Sequence, residues 1–134
     1  MENAIAVVGL YAGLNTLILL WIAASTGKLR AKHKVSIGDG GVLHLTRILR
    51  GHANAMENVP MALILMLVMA GLQTPVFVLH GFGIVLTIGR FCHAMHFIKE
   101  DAPGWQRALG ATTSMLVLGL GALGVIGHAV VRLI

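Results

Sequence analysis

Between Asn3 and Ala24 the chain runs for 22 residues without a single Asp, Glu, Lys or Arg. A run of that length crosses about 30 Å of hydrocarbon as a helix. Inside lipid every backbone N–H and C=O must find its partner within the protein, which leaves helices and closed barrels as the possible spanning structures; an unbroken apolar run selects the helix. The pattern recurs. Ala108 to Val131 again holds no Asp, Glu, Lys or Arg, and two further apolar segments lie between. The sequence therefore predicts four membrane-spanning helices at about 3–25, 43–72, 75–98 and 107–131, an all-α membrane bundle in one domain of 134 residues. Only 11% of the residues are charged, less than half of the roughly 25% usual in soluble domains. No basic stretch precedes the first segment and no small-x-small pattern follows it, so it is expected to be a retained anchor and not a cleaved leader.

The net charge of +5 is a statement about topology. Lys28, Arg30, Lys32 and Lys34 crowd into the connection after the first helix, which places that connection in the cytoplasm and both termini on the other side. No aromatic platform accompanies these cations, and nucleic acid is not an expected partner. The neutral connection Gln73-Thr74-Pro75 agrees with this orientation. Compact loops and the lack of an organelle signal point to a bacterial inner membrane. The lone Cys92 excludes an intrachain disulfide and a cysteine-rich metal site.

One polar stripe enters the membrane. Arg47, Arg50, Asn54 and Glu57 fall within a sector of about 80° on a helix. An Arg or Glu near the bilayer centre costs about 2.5 to 3.5 kcal/mol even on lenient insertion scales. The stripe must therefore face protein, water or a polar ligand. It reads either as an ion pair that sets helix register or as a site, and the site is favoured because intramembrane ionisable groups mark function by default. Pro60 follows it, where its missing N–H would kink the helix.

A second cluster sits at the same depth: Arg90, His93 and Phe97 share about 60° of the third helix. His93 and His96 have H-x-x-H spacing, but no further ligand motif supports a metal, and His96 is expected to point off that face. Asn15 reads as a helix-to-helix hydrogen bond. Gly110, Ala111, Ser114 and Gly121 form a small-residue stripe for close packing beside Arg107. By its residue type alone Arg107 serves equally as a headgroup anchor or as part of a site. Gly38-Asp39-Gly40-Gly41 reads as a turn.

Arg50, Asn54, Glu57 and Pro60 compose R-x-x-x-N-x-x-E-x-x-P. On the second of four apolar segments in a chain of this length, it resembles the signature of the MAPEG proteins, the membrane-associated proteins in eicosanoid and glutathione metabolism. The resemblance extends from end to end. It implies a four-helix bundle assembled as a homotrimer, with glutathione held near the cytoplasmic face between subunits. It further implies a glutathione site drawing on Arg50, Asn54 and Glu57, with Arg30 on a ligand carboxylate and His93 and Phe97 lining the pocket; Arg90 is expected to join that lining because it shares their face of the third helix. Arg107 takes the place of the catalytic arginine, and Asp39 resembles an acidic loop residue of some members.

Such a cluster suits a small anionic ligand with an apolar co-substrate beside it, since guanidinium forks match carboxylates. A guanidinium also stabilises a thiolate against a free thiol pKa of about 8.5. The expected activity is glutathione-dependent transfer, or peroxidase chemistry, toward a lipophilic electrophile or lipid hydroperoxide from the bilayer, with no metal. Two departures matter: several members carry tyrosine where this chain has Asn58 or Phe97, and an Arg or Ser where it has Ala53 or Ala108. A non-catalytic lipid-binding or scaffolding member of the same fold is the alternative. A small proton-coupled transporter ranks last, because its usual carboxylate is missing from the first helix.

Overall fold

The computed structural model describes residues 2–134. Four helices follow one another, α1 (Glu2–His33), α2 (Leu43–Gly71), α3 (Val76–Ile98) and α4 (Gly104–Leu133), each long and apolar enough to cross a membrane.

Helices α2 and α3 begin and end within a residue of the expected bounds, whereas α1 and α4 do not. The stretch expected to open the first connection at Ser25 stays helical through His33, so Lys28, Arg30 and Lys32 ride on α1 and not in a loop. Two forces carry the helix onward. Thr26 turns its hydroxyl back to the Ile22 carbonyl at 2.9 Å, which removes it as a competitor for the backbone. The run of Lys, Leu, Arg and Ala that follows has high helix propensity, and its cations lie at the negative end of the dipole. At 1.5 Å per residue α1 is about 48 Å long, so its basic end projects past the hydrocarbon. Lys34, in the left-handed region at φ 56°, stops it; the Val35 N–H reaches back to the Arg30 carbonyl at 3.0 Å. Helix α4 starts at Gly104, three residues earlier than expected, directly after Pro103 at φ −65°.

The connection 34–42 is held from within. Asp39 accepts from the Gly41 N–H at 3.0 Å and from the Thr46 hydroxyl in the first turn of α2 at 2.8 Å. The first of these contacts, then the second, holds the Asp39 carboxyl below its usual range.

Helices α2 and α3 form a spine that touches every other helix, while α1 and α4 do not meet among the described residues. At the end away from the basic residues, Ala4, Val7, Val8 and Tyr11 of α1 pack on Met66, Met69 and Ala70 of α2 and Leu79 of α3. In the middle, Ala62, Leu86 and Val117 join α2, α3 and α4. Toward the basic end, Ile22, Leu45, Ile48 and Ala94 join α1, α2 and α3. Leu17, Leu123 and Ile126 are each about three-fifths exposed, and many further apolar side chains of all four helices also face outward. In water such a surface would aggregate; in lipid it is the outer coat.

The polar groups expected inside α1 find partners across helices. Asn15 donates to the Thr87 hydroxyl at 3.0 Å and to the Tyr11 carbonyl at 2.9 Å, as expected for a helix-to-helix contact. Tyr11 and His80 share a hydrogen bond of 2.8 Å between the hydroxyl and Nδ1.

Candidate functional site

Toward the basic end, where α2, α3 and α4 converge, a partly open cavity of about 300 Å³ is lined by Arg50, Asn54, His93, Phe97, Arg107 and Ala111. Five of the eight residues expected at a site thus come together from three helices. Two guanidinium groups face the space and no carboxylate lines it. It therefore selects for negative charge, at the smaller end of the volumes usual for ligand pockets.

Two glycines allow the walls to close. Phe97 lies flat against Gly51 of α2, where any Cβ would run into the ring. On the other side, a Cβ at Gly110 of α4 would collide with His93 and the Gly89 carbonyl of α3. His93 and Phe97 then pack together with ring centroids 4.8 Å apart. The stripe Gly110, Ser114 and Gly121 is buried, as close packing requires, while Ala111 remains open to the cavity.

Arg90 is positioned differently from the expectation that it lines the pocket. It is 2% exposed and lies behind the cavity wall. Its Nη1 donates to Asn54 Oδ1 at 3.0 Å and its Nη2 to the Gly110 carbonyl at 2.6 Å. The Ser114 hydroxyl donates to the same carbonyl at 2.8 Å. The reason is geometric: position 90 directly follows Gly89, whose carbonyl lies close to Gly110 of α4, so its long side chain runs into the seam between the helices.

Arg47 likewise departs from the stripe. It turns to the end of α3, donating to the Glu100 carbonyl, to the His96 carbonyl at 3.3 Å and toward His96 Nε2 at 3.4 Å. A helix C-terminus leaves carbonyls without partners and carries partial negative charge, so it draws a cation from the neighbouring helix. His44 completes this latch, with its Nε2 2.9 Å from the Ile98 carbonyl. His96 is buried and does not line the cavity; its Nδ1 reaches the Pro103 carbonyl at 3.2 Å. Both of its nitrogens are thereby engaged in tying α3, α2 and the following connection together. Sequence reasoning missed this cluster, although the cue was present in Arg47 and His44 lying one turn apart at the start of α2.

Glu57 and Arg30 do not line the cavity of a single chain. Glu57 pairs with Arg50 at 3.5 Å, both side chains more than half exposed on the outer face of α2. Arg30 keeps a buried Nη1 with no protein partner. Asn58 donates to the Asn54 carbonyl at 2.8 Å, so it braces the helix one turn on.

Residues 8–127 match the MAPEG family. The inner membrane protein YecN of Escherichia coli K12 is 38% identical over 110 residues, which cover 81% of this chain and 83% of the relative. YecN of Escherichia coli O6:H1 (strain CFT073) matches with the same figures. No solved structure matches. A family match over nearly the whole chain, on four apolar helices carrying the R-x-x-x-N-x-x-E-x-x-P stripe at one end, means that this protein belongs to the MAPEG family.

Proposed function

We propose that this protein binds glutathione at the cavity between α2, α3 and α4 and transfers it to a lipophilic electrophile. The observation that carries this reading is the donor set: Arg50 from α2 and Arg107 from α4 open into one cavity, with Asn54 and His93 between them and no acid on the wall. Glutathione supplies two carboxylates for guanidinium forks and an amine for Glu57. Its thiol, beside Arg107, would ionise more readily because the thiolate is the form the guanidinium stabilises. The thiolate sulfur then forms a bond to the electrophilic carbon, and the leaving group departs with its electron pair. Toward a lipid hydroperoxide the same thiolate attacks oxygen, giving the alcohol and a sulfenate that a second glutathione reduces to the disulfide.

Assembly as a homotrimer belongs to this reading. An Arg50–Glu57 pair more than half exposed on α2 is poorly placed against hydrocarbon. A neighbouring copy on that face would shelter it and bring Glu57 and Arg30 to the site. The inner membrane, with the Lys28–Lys34 segment in the cytoplasm, fits both the charge placement and the similarity to an inner membrane protein of Escherichia coli.

A second reading has its own observation. No hydroxyl lines the cavity, because Phe97 stands there, and Tyr11 is committed to His80 in another part of the bundle. A binding member without turnover would look like this. Titration calorimetry on purified protein in lipid separates the two when paired with conjugation of chlorodinitrobenzene. Binding with turnover that Arg107→Ala abolishes supports the transferase. Binding without turnover supports a non-catalytic member, and no binding at millimolar glutathione ends the transferase reading in favour of the lipid-binding or scaffolding member.

A further inference from the structure

Arg90 is a buried cation without an acid. Among the described residues the only ion pair is Arg50 with Glu57, and Arg90 answers to two neutral oxygens, Asn54 Oδ1 at 3.0 Å and the Gly110 carbonyl at 2.6 Å. Its Nε is buried with no partner. An apolar residue would fill the same volume without desolvating a charge, so what the guanidinium does for its partners is the informative question.

Guanidinium is donor-only. Whatever faces Nη1 must be an acceptor, which forces the Asn54 side chain to present its oxygen to Arg90 and its Nδ2 to the cavity that Asn54 lines. Nδ2 has no protein acceptor among the described residues. A free asparagine can offer either an acceptor or a donor; this one is fixed as a donor. The polar wall of the cavity then consists of Arg50, Arg107 and the Asn54 N–H groups, with His93 beside them.

The second bond acts on Arg107. The Gly110 carbonyl lies one turn after Arg107 on α4, and Arg90 ties it to α2 through Asn54. With the close contact of Gly110 against His93 and the Gly89 carbonyl, this pins the start of α4 in register with the stripe on α2.

We propose that Arg90 is a positioning residue that never touches the ligand: it locks Asn54 as a hydrogen-bond donor toward an anionic group and holds Arg107 at the same depth. The identity of that group as a carboxylate or thiolate of glutathione rests on the function proposed above; the lock itself does not.

The test uses full-length protein in lipid with glutathione as the probe. Arg90→Met should weaken glutathione binding by about ten- to a hundredfold, the effect of one charged hydrogen bond lost or misdirected. Arg90→Lys, which keeps the charge but reaches one oxygen at a time, should recover part of this. Asn54→Asp keeps shape and gives Arg90 a stronger partner while removing the donor. It should melt no lower than the wild type yet bind glutathione at least tenfold more weakly, a split that a purely structural role would not produce. Wild-type affinity in Asn54→Asp overturns the proposal, and so does full affinity in Arg90→Met. If Arg90→Met fails to fold, Asn54→Asp and Arg90→Lys carry the test. A wild type that binds no glutathione refutes the proposed function but leaves the lock to be judged by magnetic resonance. The Asn54 side-chain amide should then show a shifted NH2 pair in the wild type, from the charged donor on its oxygen, that Arg90→Lys loses; an amide unchanged by the substitution sinks the lock as well.

Discussion

The two halves of the bundle treat polar side chains in opposite ways. Away from the basic end, Tyr11 meets His80 and Asn15 meets Thr87, so these side chains are tied across α1 and α3, although the Asn15 Oδ1 stays buried without a partner. At the basic end, Arg50 and Arg107 face a shared cavity, and Arg90 spends its donors on orienting Asn54. In a low-dielectric setting unpaired polarity is costly. Where it persists on three helices at one depth, its complement is expected from outside the chain. The closed half holds the bundle together; the open half is available to a ligand.

That contrast breaks most visibly at Arg107. Its replacement by alanine should lower conjugation by about a hundredfold or more, the scale of losing one preorganised charge-stabilising donor, with little change in melting temperature because the side chain is exposed. Steady-state turnover measured alongside thermal unfolding checks both halves of the statement.

The complementary change lies in the closed half. Met66 is fully buried in the α1, α2 and α3 cluster, so Met66→Ala should destabilise the protein by about 2–5 kcal/mol while leaving glutathione affinity within twofold. A loss of affinity as large as the loss of stability would mean that the two halves are not separable.

Asn15→Leu should be milder, at about 0.6 kcal/mol, the average worth of a side-chain hydrogen bond inside a membrane bundle. Unfolding by a denaturing detergent is the measurement. The smallest effect belongs to the connection before α2. The Asp39 carboxyl is held below its usual range by Gly41 and Thr46. Its contribution is therefore present above the ordinary carboxylate range and fades as pH falls through the lowered value. Thr46→Ala should move its titration midpoint back upward, readable by carboxyl-carbon resonance.

Much of the fold was legible because charge-free length is a direct physical signal. Asn3 to Ala24 and Ala108 to Val131 each predicted a helix, and each is one. The end of α1 was less legible because Ser25-Thr26-Gly27 looks like a break until Thr26 is seen bonding to Ile22. The site divides along similar lines. Helical spacing placed Arg50 and Asn54 on one face and His93 and Phe97 on another, and these four do meet with Arg107. Spacing gives the direction in which a side chain leaves its helix, but not how far it reaches or what it finds there. Arg90 and Arg47 therefore went elsewhere, one to a neighbouring backbone and one to a helix end. Glu57 and Arg30, outside the cavity of one chain, are positions whose surroundings depend on what packs against α2.

Among the described residues helices α1 and α4 do not touch; each leans on the α2 and α3 spine from opposite sides. A disturbance in the α1 contacts can therefore reach α4 only by way of α2 or α3. The α1 cluster and the cavity walls are thus separate seams along one pair of helices, and wear in the first does not by itself open the second.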